Sequence, residues 1–328
     1  MMVISRTPLR MSFVGGGSDF PSFYRDHGGA VVSTAIDKYV YVTVNTKFDE
    51  GVRIAYSKNE EVETVDQIEH RLVKAALRFL HLAGGIEITT IADVPSRGTG
   101  LGSSSSFLVG LLHALYAYLG RYASSERLGR ESCMVEIDIC GEPIGKQDQY
   151  AAAYGGFNHI LFRPDDTVVV SPVICRSETF EQIRRRSLIL YTGITRSAST
   201  VLAQQNAAIV SSSEKRRVLQ RMVGLADVLR DEIQRNNIDS FGEILHENWE
   251  LKKQLSDRIS TTYINELYAL ARRAGASGGK VLGAGGGGFL MLFAPESKHA
   301  AIKCVLRGLR TVNIGYEPLG SRIIFSHE

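Results

Sequence analysis

Apolar and polar positions recur with two different periods along the chain, which predicts a mixture of strands and helices. In the first 50 residues, runs rich in β-branched and aromatic side chains predict strands over 10–14, 31–34 and 39–46. Apolar residues then recur at helical intervals over 67–82, and another strand-like run covers 86–91. The amino-terminal part of the chain is therefore predicted to be rich in strands.

The clearest helical pattern lies at 107–119. Five leucines there have the spacing of one buried helix face: Leu108, Leu111, Leu112, Leu115 and Leu119. The same two patterns predict helices over 126–138, from about residue 146, and at roughly 214–235, 239–256, 260–274 and 297–311, and strands over 167–170, 188–191, 289–293 and 322–325. Because these elements do not alternate regularly, we expect two α+β domains, residues 1–175 and 176–328.

The composition is that of an ordinary soluble globular protein, with 44% hydrophobic and 22% charged residues in a chain of 328. The net charge of +3 is too small to suggest a nucleic-acid partner. We expect the densest basic runs, Arg184–Arg186 and Arg216–Arg217, to be solvated faces. No stretch approaches the ~20 apolar residues of a membrane span, so no membrane partner is expected.

Four cysteines form no C-x-x-C pair and have no histidine at metal-ligand spacing: Cys133, Cys140, Cys175 and Cys304. Neither a zinc site nor a disulfide framework is therefore expected. Arg6 and Pro8 interrupt the N-terminal segment before an apolar run of signal-peptide length develops. These features predict a cytoplasmic protein with reduced thiols.

The most informative segment is 95–106, Pro-Ser-Arg-Gly-Thr-Gly-Leu-Gly-Ser-Ser-Ser-Ser, which leads directly into the helical pattern. Its glycines, at 98, 100 and 102, allow the backbone to fold tightly around a ligand. The serines fall where a helix would begin, at unpaired N–H groups and the positive end of its dipole. Such a loop binds anions, and a nucleotide phosphate is the expected one. The alternative is a flexible linker, which is disfavoured because linkers rarely precede an amphipathic helix directly.

Two common nucleotide motifs do not account for this segment. No part of the chain matches the P-loop pattern G-x-x-x-x-G-K-[ST], and residues 98–103 end in serine where the dinucleotide fingerprint needs glycine. A literal G-x-G-x-x-G does occur at 283–288, but it precedes a predicted strand instead of a helix. A Rossmann-type dehydrogenase is therefore a remote alternative.

The chain does contain the parts that phosphoryl transfer needs, namely a phosphate cradle, a metal ligand and an acid. Glycine-rich segments lie at 15–17, 98–102 and 283–288. Since Mg²⁺ takes only one or two protein oxygens, Ser103 with one carboxylate would suffice. Composition alone does not distinguish the relevant acids among the 35 present.

Three segments resemble the motifs of the GHMP small-molecule kinases, a family that includes galacto-, homoserine, mevalonate and phosphomevalonate kinases. Pro95–Ser105 resembles the central motif, Arg10–Asp19 the first and Lys280–Phe289 the third, in the family's order and across nearly the whole chain. The resemblance implies an N-terminal domain of the ribosomal S5 domain 2-like type and a ferredoxin-like C-terminal domain. ATP would bind between them.

The resemblance also implies roles for individual residues. Asp148 would accept the proton of the substrate hydroxyl, and Arg10 would lie beside it and offset negative charge. Mg²⁺ would be held by Ser103 and Glu136. The ATP site would comprise Arg97, Gly98, Gly100, Leu101, Gly102, Ser103, Ser104, Ser105, Gly285 and Gly286. The substrate would be bound by Gly17, Ser18, Asp19, Thr195 and Arg196.

Each assignment has a structural alternative. Glu136 and Asp148 could be surface acids on helices, Asp19 a turn residue after three glycines, and Arg10 an ion-pair partner without a catalytic role. The segment 191–199 carries two threonines, an arginine and serines that would suit a second phosphate. It could instead be an ordinary turn that caps the next helix.

The first motif reads Gly-Gly-Gly-Ser-Asp where galactokinases carry Gly-Glu-His-Thr-Asp, which disfavours galactose as the substrate. The form over Arg10–Pro21 resembles the heptose 7-phosphate kinase and fucokinase branch of the family. The expected activity is ATP- and Mg²⁺-dependent phosphorylation of the anomeric hydroxyl of D-glycero-D-manno-heptose 7-phosphate. A free-sugar 1-kinase and a non-catalytic sugar or nucleotide sensor are the alternatives. A homodimer is left open.

Overall fold

The structure, a computed structural model, describes residues 1–94, 98–195 and 197–327. Its strands are β1 (Met2–Val14), β2 (Gly29–Thr46), β3 (Val52–Ala55), β4 (Asn59–Val62), β5 (Ile86–Ala92), β6 (Phe157–Phe162), β7 (Val168–Pro172), β8 (Ser187–Tyr191), β9 (Gly278–Val281), β10 (Phe289–Phe293), β11 (Arg310–Val312) and β12 (Arg322–His327). Its α-helices are α1 (Pro21–His27), α2 (Arg71–Phe79), α3 (Ser103–Tyr118), α4 (Ser125–Cys133), α5 (Gln147–Tyr154), α6 (Ser177–Arg186), α7 (Ala198–Ser211), α8 (Ser213–Gln234), α9 (Phe241–Lys253), α10 (Thr262–Arg273) and α11 (His299–Val305). A π-helical segment, Met134–Ile139, continues α4, and short 3₁₀ turns lie at Val65–Gln67 and Glu296–Lys298.

In the part of the chain that the structure describes, the first sheet has eight strands, and β1 and β2 form its centre. Its main order is β12-β1-β2-β5-β3-β4, while β6 pairs with both β2 and β7. The strand β2 is long enough to pair with β6 over 29–34 and with β5 over 40–46. The two strands predicted at 31–34 and 39–46 are therefore parts of one.

The second sheet has four antiparallel strands in the order β11-β8-β10-β9, and α9 packs against β9. Each sheet and the helices packed against it form one unit, which we call a sheet assembly. The presence of two such assemblies confirms the α+β class. The last strand, β12, pairs with β1 in the first sheet. The chain therefore returns to its starting sheet after building the second one.

Helix α3 lies at the centre of the molecule, where it contacts β1, β2, α4 and α5. It begins at Ser103, four residues before the predicted start. The expectation of a single buried face was too narrow, because most of its side chains are buried, including Val109, Ala114 and Tyr116 on other sides. A helix covered on several sides has no exposed polar stripe to reveal in its sequence.

Other sequence expectations also need correction. The helix predicted near 297–311 ends at Val305, and residues 310–312 belong to a strand. The helix predicted over 126–138 is α-helical only to Cys133 and then widens into the π-helical segment. Seven further elements were not predicted: β3, β4, β6, β9, α1, α6 and α7. Of the missed helices, α1 is short, α6 has few apolar residues, and the apolar residues of α7 are spread around the helix.

The hydrophobic core joins residues from the two ends of the chain. Phe13 of β1 packs edge-on against Phe241 of α9 with 5.5 Å between ring centroids, and Phe241 also contacts Phe293 at 4.6 Å. All four cysteines are free. Among the described residues, no helix combines the length and the apolar composition needed to cross a lipid bilayer. The predicted domain division at residue 175 stays a prediction.

Candidate active site

The three glycine-rich segments meet at one cleft. Gly100 has φ +78°, and a Cβ on it would lie 2.2 Å from the carbonyl oxygen of Leu282. A Cβ on Gly283 would lie 2.4 Å from the Cα of Gly100. The central and third segments therefore touch backbone to backbone, which only glycine permits at these positions. Gly17 of the first segment and Gly98 of the central one line the same cleft.

Arg10 and Asp148 form a two-pronged ion pair in this cleft. The Arg10 Nε and Nη2 atoms donate to the two oxygens of Asp148 at 2.7 and 2.8 Å, and Nη1 donates to the Gly100 carbonyl at 2.7 Å. The Arg10 side chain is 4% exposed and that of Asp148 is 23% exposed. This geometry fixes the direction of the carboxylate, which lies in the first turn of α5. A Cβ on Gly102 would lie 3.2 Å from Asp148 Oδ2, so the acid faces the glycine loop.

The amino end of α3 continues the loop. Gly102 is its N-cap in a left-handed conformation, and among the described residues no side chain caps this end. The carbonyl of Leu101 accepts a hydrogen bond from the backbone of Arg10 at 3.0 Å, and Leu101 itself is buried. Since the first N–H groups of a helix have no partner within the helix, this end is suited to an anion.

Glu136 lies in the π-helical segment and is 2% exposed. Its carboxylate accepts hydrogen bonds from Ser104 Oγ and Gln149 Nε2, both at 2.8 Å. Burial raises the pKa of Glu136 to about 7, against the lowering effect of its hydrogen bonds. Ser103 Oγ instead lies 3.5 Å from Thr99 Oγ1. The partners of Glu136 therefore include Ser104, and Ser105 also lowers its pKa through a side-chain hydrogen bond, whereas the predicted metal ligand Ser103 lies against Thr99.

These residues fit a magnesium ion. Among the described residues, Glu136 has no basic partner, so a buried carboxylate faces serine hydroxyls without a neutralising charge. Carboxylate and hydroxyl oxygens are ligands that Mg²⁺ accepts, with water completing its shell. A cation here would offset the burial that disfavours the charged carboxylate.

Asp19 is buried beside the same cleft. Its Oδ1 accepts hydrogen bonds from the Gly17 amide at 2.9 Å and from Gln147 Nε2 at 3.2 Å, and its Oδ2 accepts one from the Gln147 amide at 3.2 Å. Burial raises the pKa of Asp19, and the nearby Asp148 acts in the same direction. The neighbouring Ser18 does not line the cleft, because its hydroxyl is bonded to both backbone groups of Ala30.

The remaining predicted residues have varied positions. Gly285 lines the cleft, whereas the amide of Gly286 donates to the Ile259 carbonyl at 2.8 Å and is already paired. Thr195 is exposed and does not line the cleft. Arg97 and Arg196 lie outside the described residues.

The cleft residues that were not found from the sequence include the polar side chains of Gln147, Gln205 and Lys252. Two of them lie on the buried stripe of a helix, where a polar side chain is unusual. Lys252 follows Phe241, Ile244, Leu245 and Trp249 on the inner face of α9, and Gln205 lies between Val201 and Ile209 on α7. That pattern is the signal that could have identified them.

Comparison with known proteins shows the family of this chain. Residues 70–156 match the family GHMP kinases N terminal domain, and residues 229–308 match GHMP kinases C terminal. A D-glycero-alpha-D-manno-heptose 7-phosphate kinase from Campylobacter jejuni is 28% identical over 317 residues, which cover 92% of each chain. A bifunctional fucokinase/GDP-fucose pyrophosphorylase from Arabidopsis thaliana is 28% identical over 89% of this chain but only 30% of its own length.

A solved structure of a D-glycero-D-manno-heptose 1-phosphate kinase from Bacteroides thetaiotaomicron is similar over 99% of this chain and 100% of its own, with a TM-score of 0.81 and 25% identity. The two-part α+β fold and the glycine-lined cleft thus define a small-molecule kinase. The chain belongs to the GHMP kinase family, and it is an ATP-dependent phosphotransferase.

Proposed function

We propose that this kinase transfers the γ-phosphate of ATP to the anomeric hydroxyl of D-glycero-D-manno-heptose 7-phosphate. The products would be ADP and the 1,7-bisphosphate, a precursor for nucleotide-activated heptose. The observation that supports phosphoryl transfer is the Arg10–Asp148 pair facing the glycine loop. Similarity to the Campylobacter jejuni kinase over nearly the full length of both chains supports the substrate.

In this proposal, Asp148 accepts the proton of the attacking hydroxyl, and Arg10 keeps its carboxylate aimed at the transfer site. The backbone amides of the loop and of the first turn of α3 hold the ATP phosphates. Asp19, supported by Gln147, orients the sugar through its hydroxyls. Glu136 would hold Mg²⁺ together with Ser103 or its neighbour Ser104, and the ion would offset phosphate charge when bound. An ATP-consuming reaction of this kind would take place in the cytoplasm.

A free-sugar 1-kinase is the second candidate. The similarity to the Arabidopsis thaliana fucokinase favours it, since the match covers most of this chain. The two heptose kinases in the comparison also carry different names: one is called a heptose 7-phosphate kinase and the other a heptose 1-phosphate kinase. The sugar and its phosphorylated position are therefore the parts of the proposal that need a direct test.

The test is a panel of sugars assayed for ADP release by the purified protein with ATP and Mg²⁺. We expect turnover on D-glycero-D-manno-heptose 7-phosphate to exceed turnover on the free heptose, L-fucose and D-galactose. Phosphorus NMR of the product should show a new phosphate at the anomeric carbon. The Asp148→Asn variant is the control, and it should release almost no ADP with any sugar. Faster turnover on L-fucose would replace the heptose proposal with the free-sugar one.

A further inference from the structure

Lys252 places a cation where two of the glycine-rich segments approach each other. Helix α9 carries it into the cleft, and the residue is 4% exposed. Its Nζ atom donates to the Gly283 carbonyl of the third segment at 2.8 Å. A Cβ on Gly16 of the first segment would lie 3.6 Å from Lys252 Nζ. The ammonium group is therefore held between the two segments.

The charges around Lys252 are those of the transfer site. Its ammonium interacts electrostatically with Asp19, Arg10 and Asp148. Among the described residues that line the cleft, Arg10 and Lys252 are the basic ones. Arg10 already makes three hydrogen bonds to Asp148 and Gly100. Within the described ranges, Lys252 makes one hydrogen bond, to a carbonyl, although an ammonium group has three donors.

A buried cation with unused donors is costly to maintain, because it has lost water without gaining a full set of partners. Placing such a group in a phosphate-binding cleft is consistent with a partner that arrives with the substrates. Phosphoryl transfer spreads negative charge over the oxygens of the moving group, and a pre-positioned cation stabilises that charge.

We propose that Lys252 is a further catalytic residue, which contacts the phosphoryl group as it passes from ATP to the acceptor oxygen. The inference rests on the proposed phosphoryl transfer in this cleft, but not on which sugar is the acceptor. In the step, the bond from γ-phosphorus to the ADP oxygen breaks and the bond to the acceptor oxygen forms. The hydroxyl proton passes to Asp148. Lys252 keeps its protons and donates hydrogen bonds to the phosphoryl oxygens.

This role has a pH signature. Burial lowers the pKa of Lys252 to about 8, while Asp19 and Asp148 raise it and Arg10 lowers it further. Lys280, which faces it from β9, has a pKa well below its ordinary value and is bonded to the Phe13 carbonyl. Since a lysine loses its charge as the pH rises through its pKa, kcat/KM should fall above about pH 8.

The experiment compares Lys252→Met and Lys252→Arg with Lys253→Met. Lys253 is the neighbouring lysine on α9, and it pairs with Glu250 at 2.7 Å outside the cleft. Each variant is assayed on whichever sugar the wild type phosphorylates fastest, so failure of the heptose proposal leaves this comparison intact. We expect Lys252→Met to lower kcat about 100-fold, the scale of removing one charge-stabilising donor. Lys253→Met should retain wild-type kcat.

Two readouts separate a catalytic role from a structural one. Lys252→Met should keep its melting temperature and its Kd for a non-hydrolysable ATP analogue, because methionine fills a similar volume without the desolvation cost of an ammonium group that has unused donors. Lys252→Arg should retain part of the activity, and its alkaline decline should move above pH 10, since guanidinium stays protonated. A Lys252→Met variant with near-wild-type kcat would overturn the proposal. If that variant does not fold, an unchanged alkaline decline in Lys252→Arg would overturn it instead.

Discussion

At the scale of single residues, the site depends on how closely two backbones approach. Gly100 and Gly120 both have left-handed φ values, +78° and +65°. Their surroundings differ, because a Cβ on Gly120 meets nothing within 4 Å, whereas one on Gly100 would overlap the Leu282 carbonyl. The two glycines therefore allow conformational strain to be separated from contact between the loops.

We expect Gly100→Ala to abolish most of the kinase activity and to destabilise the protein more than Gly120→Ala. Strain from φ alone costs about 1 kcal/mol at either position. Only the Gly100 variant must also move the central loop away from the third segment. Urea unfolding and kcat measured side by side test this. Equal losses of stability in both variants, with activity retained, would show that the close approach is unimportant.

At the scale of elements, helix α7 forms one side of the cleft, although the helix itself was not predicted from the sequence. Ala198, Ser199, Leu202 and Gln205 of this helix line the cleft, and Ser199 Oγ donates to Glu142 at 3.0 Å. The side chain of Gln205 is fully buried, and neither of its amide atoms has a partner among the described residues. A Cβ on Gly17 would lie 2.3 Å from Gln205 Nε2, so the amide lies beside the turn that carries Asp19.

We expect Gln205→Ala to raise KM for the sugar about 10-fold with a smaller effect on kcat. A buried amide with unpaired atoms gains hydrogen bonds when a polyol enters, and one such bond contributes roughly 1 kcal/mol. Gln204→Ala is the matched control, because Gln204 is the exposed neighbour on the same helix. The readout is KM for sugar against KM for ATP. A change in both, or in neither, would argue against a sugar contact.

At the scale of the whole molecule, the two sheet assemblies share a core. The contact between Phe13 and Phe241 joins the beginning of the chain to α9, and β12 returns to pair with β1. The glycine segments at Gly100 and Gly283 also touch across the cleft. Unfolding one assembly would therefore expose the apolar surface of the other.

We expect the protein to unfold in a single transition. Trp249, the only tryptophan, is fully buried in α9 and reports on the second assembly. Far-ultraviolet circular dichroism reports on the helices and strands of both. The urea midpoints from tryptophan fluorescence and from circular dichroism should coincide. Two separated midpoints would mean that the assemblies unfold independently, as a strict division at residue 175 would imply.

The sequence by itself determined those structural elements that depend on residues close together in the chain. Glycines in succession require unusual backbone angles, and leucines at helical spacing require a buried helix, so the glycine loop and α3 could be predicted. Resemblance to known motifs added Arg10, Asp19, Glu136 and Asp148.

Only the tertiary structure decided which groups meet. Three features depend on contacts between residues distant in the chain. They are the hydrogen bond of Ser104 to Glu136, the hydrogen bond of Ser18 to Ala30 and the position of Lys252 in the cleft. Periodicity describes which face of an element is buried, but it does not describe what that face will touch. A lysine or glutamine on a buried stripe is explained only by the cleft that the assembled elements enclose.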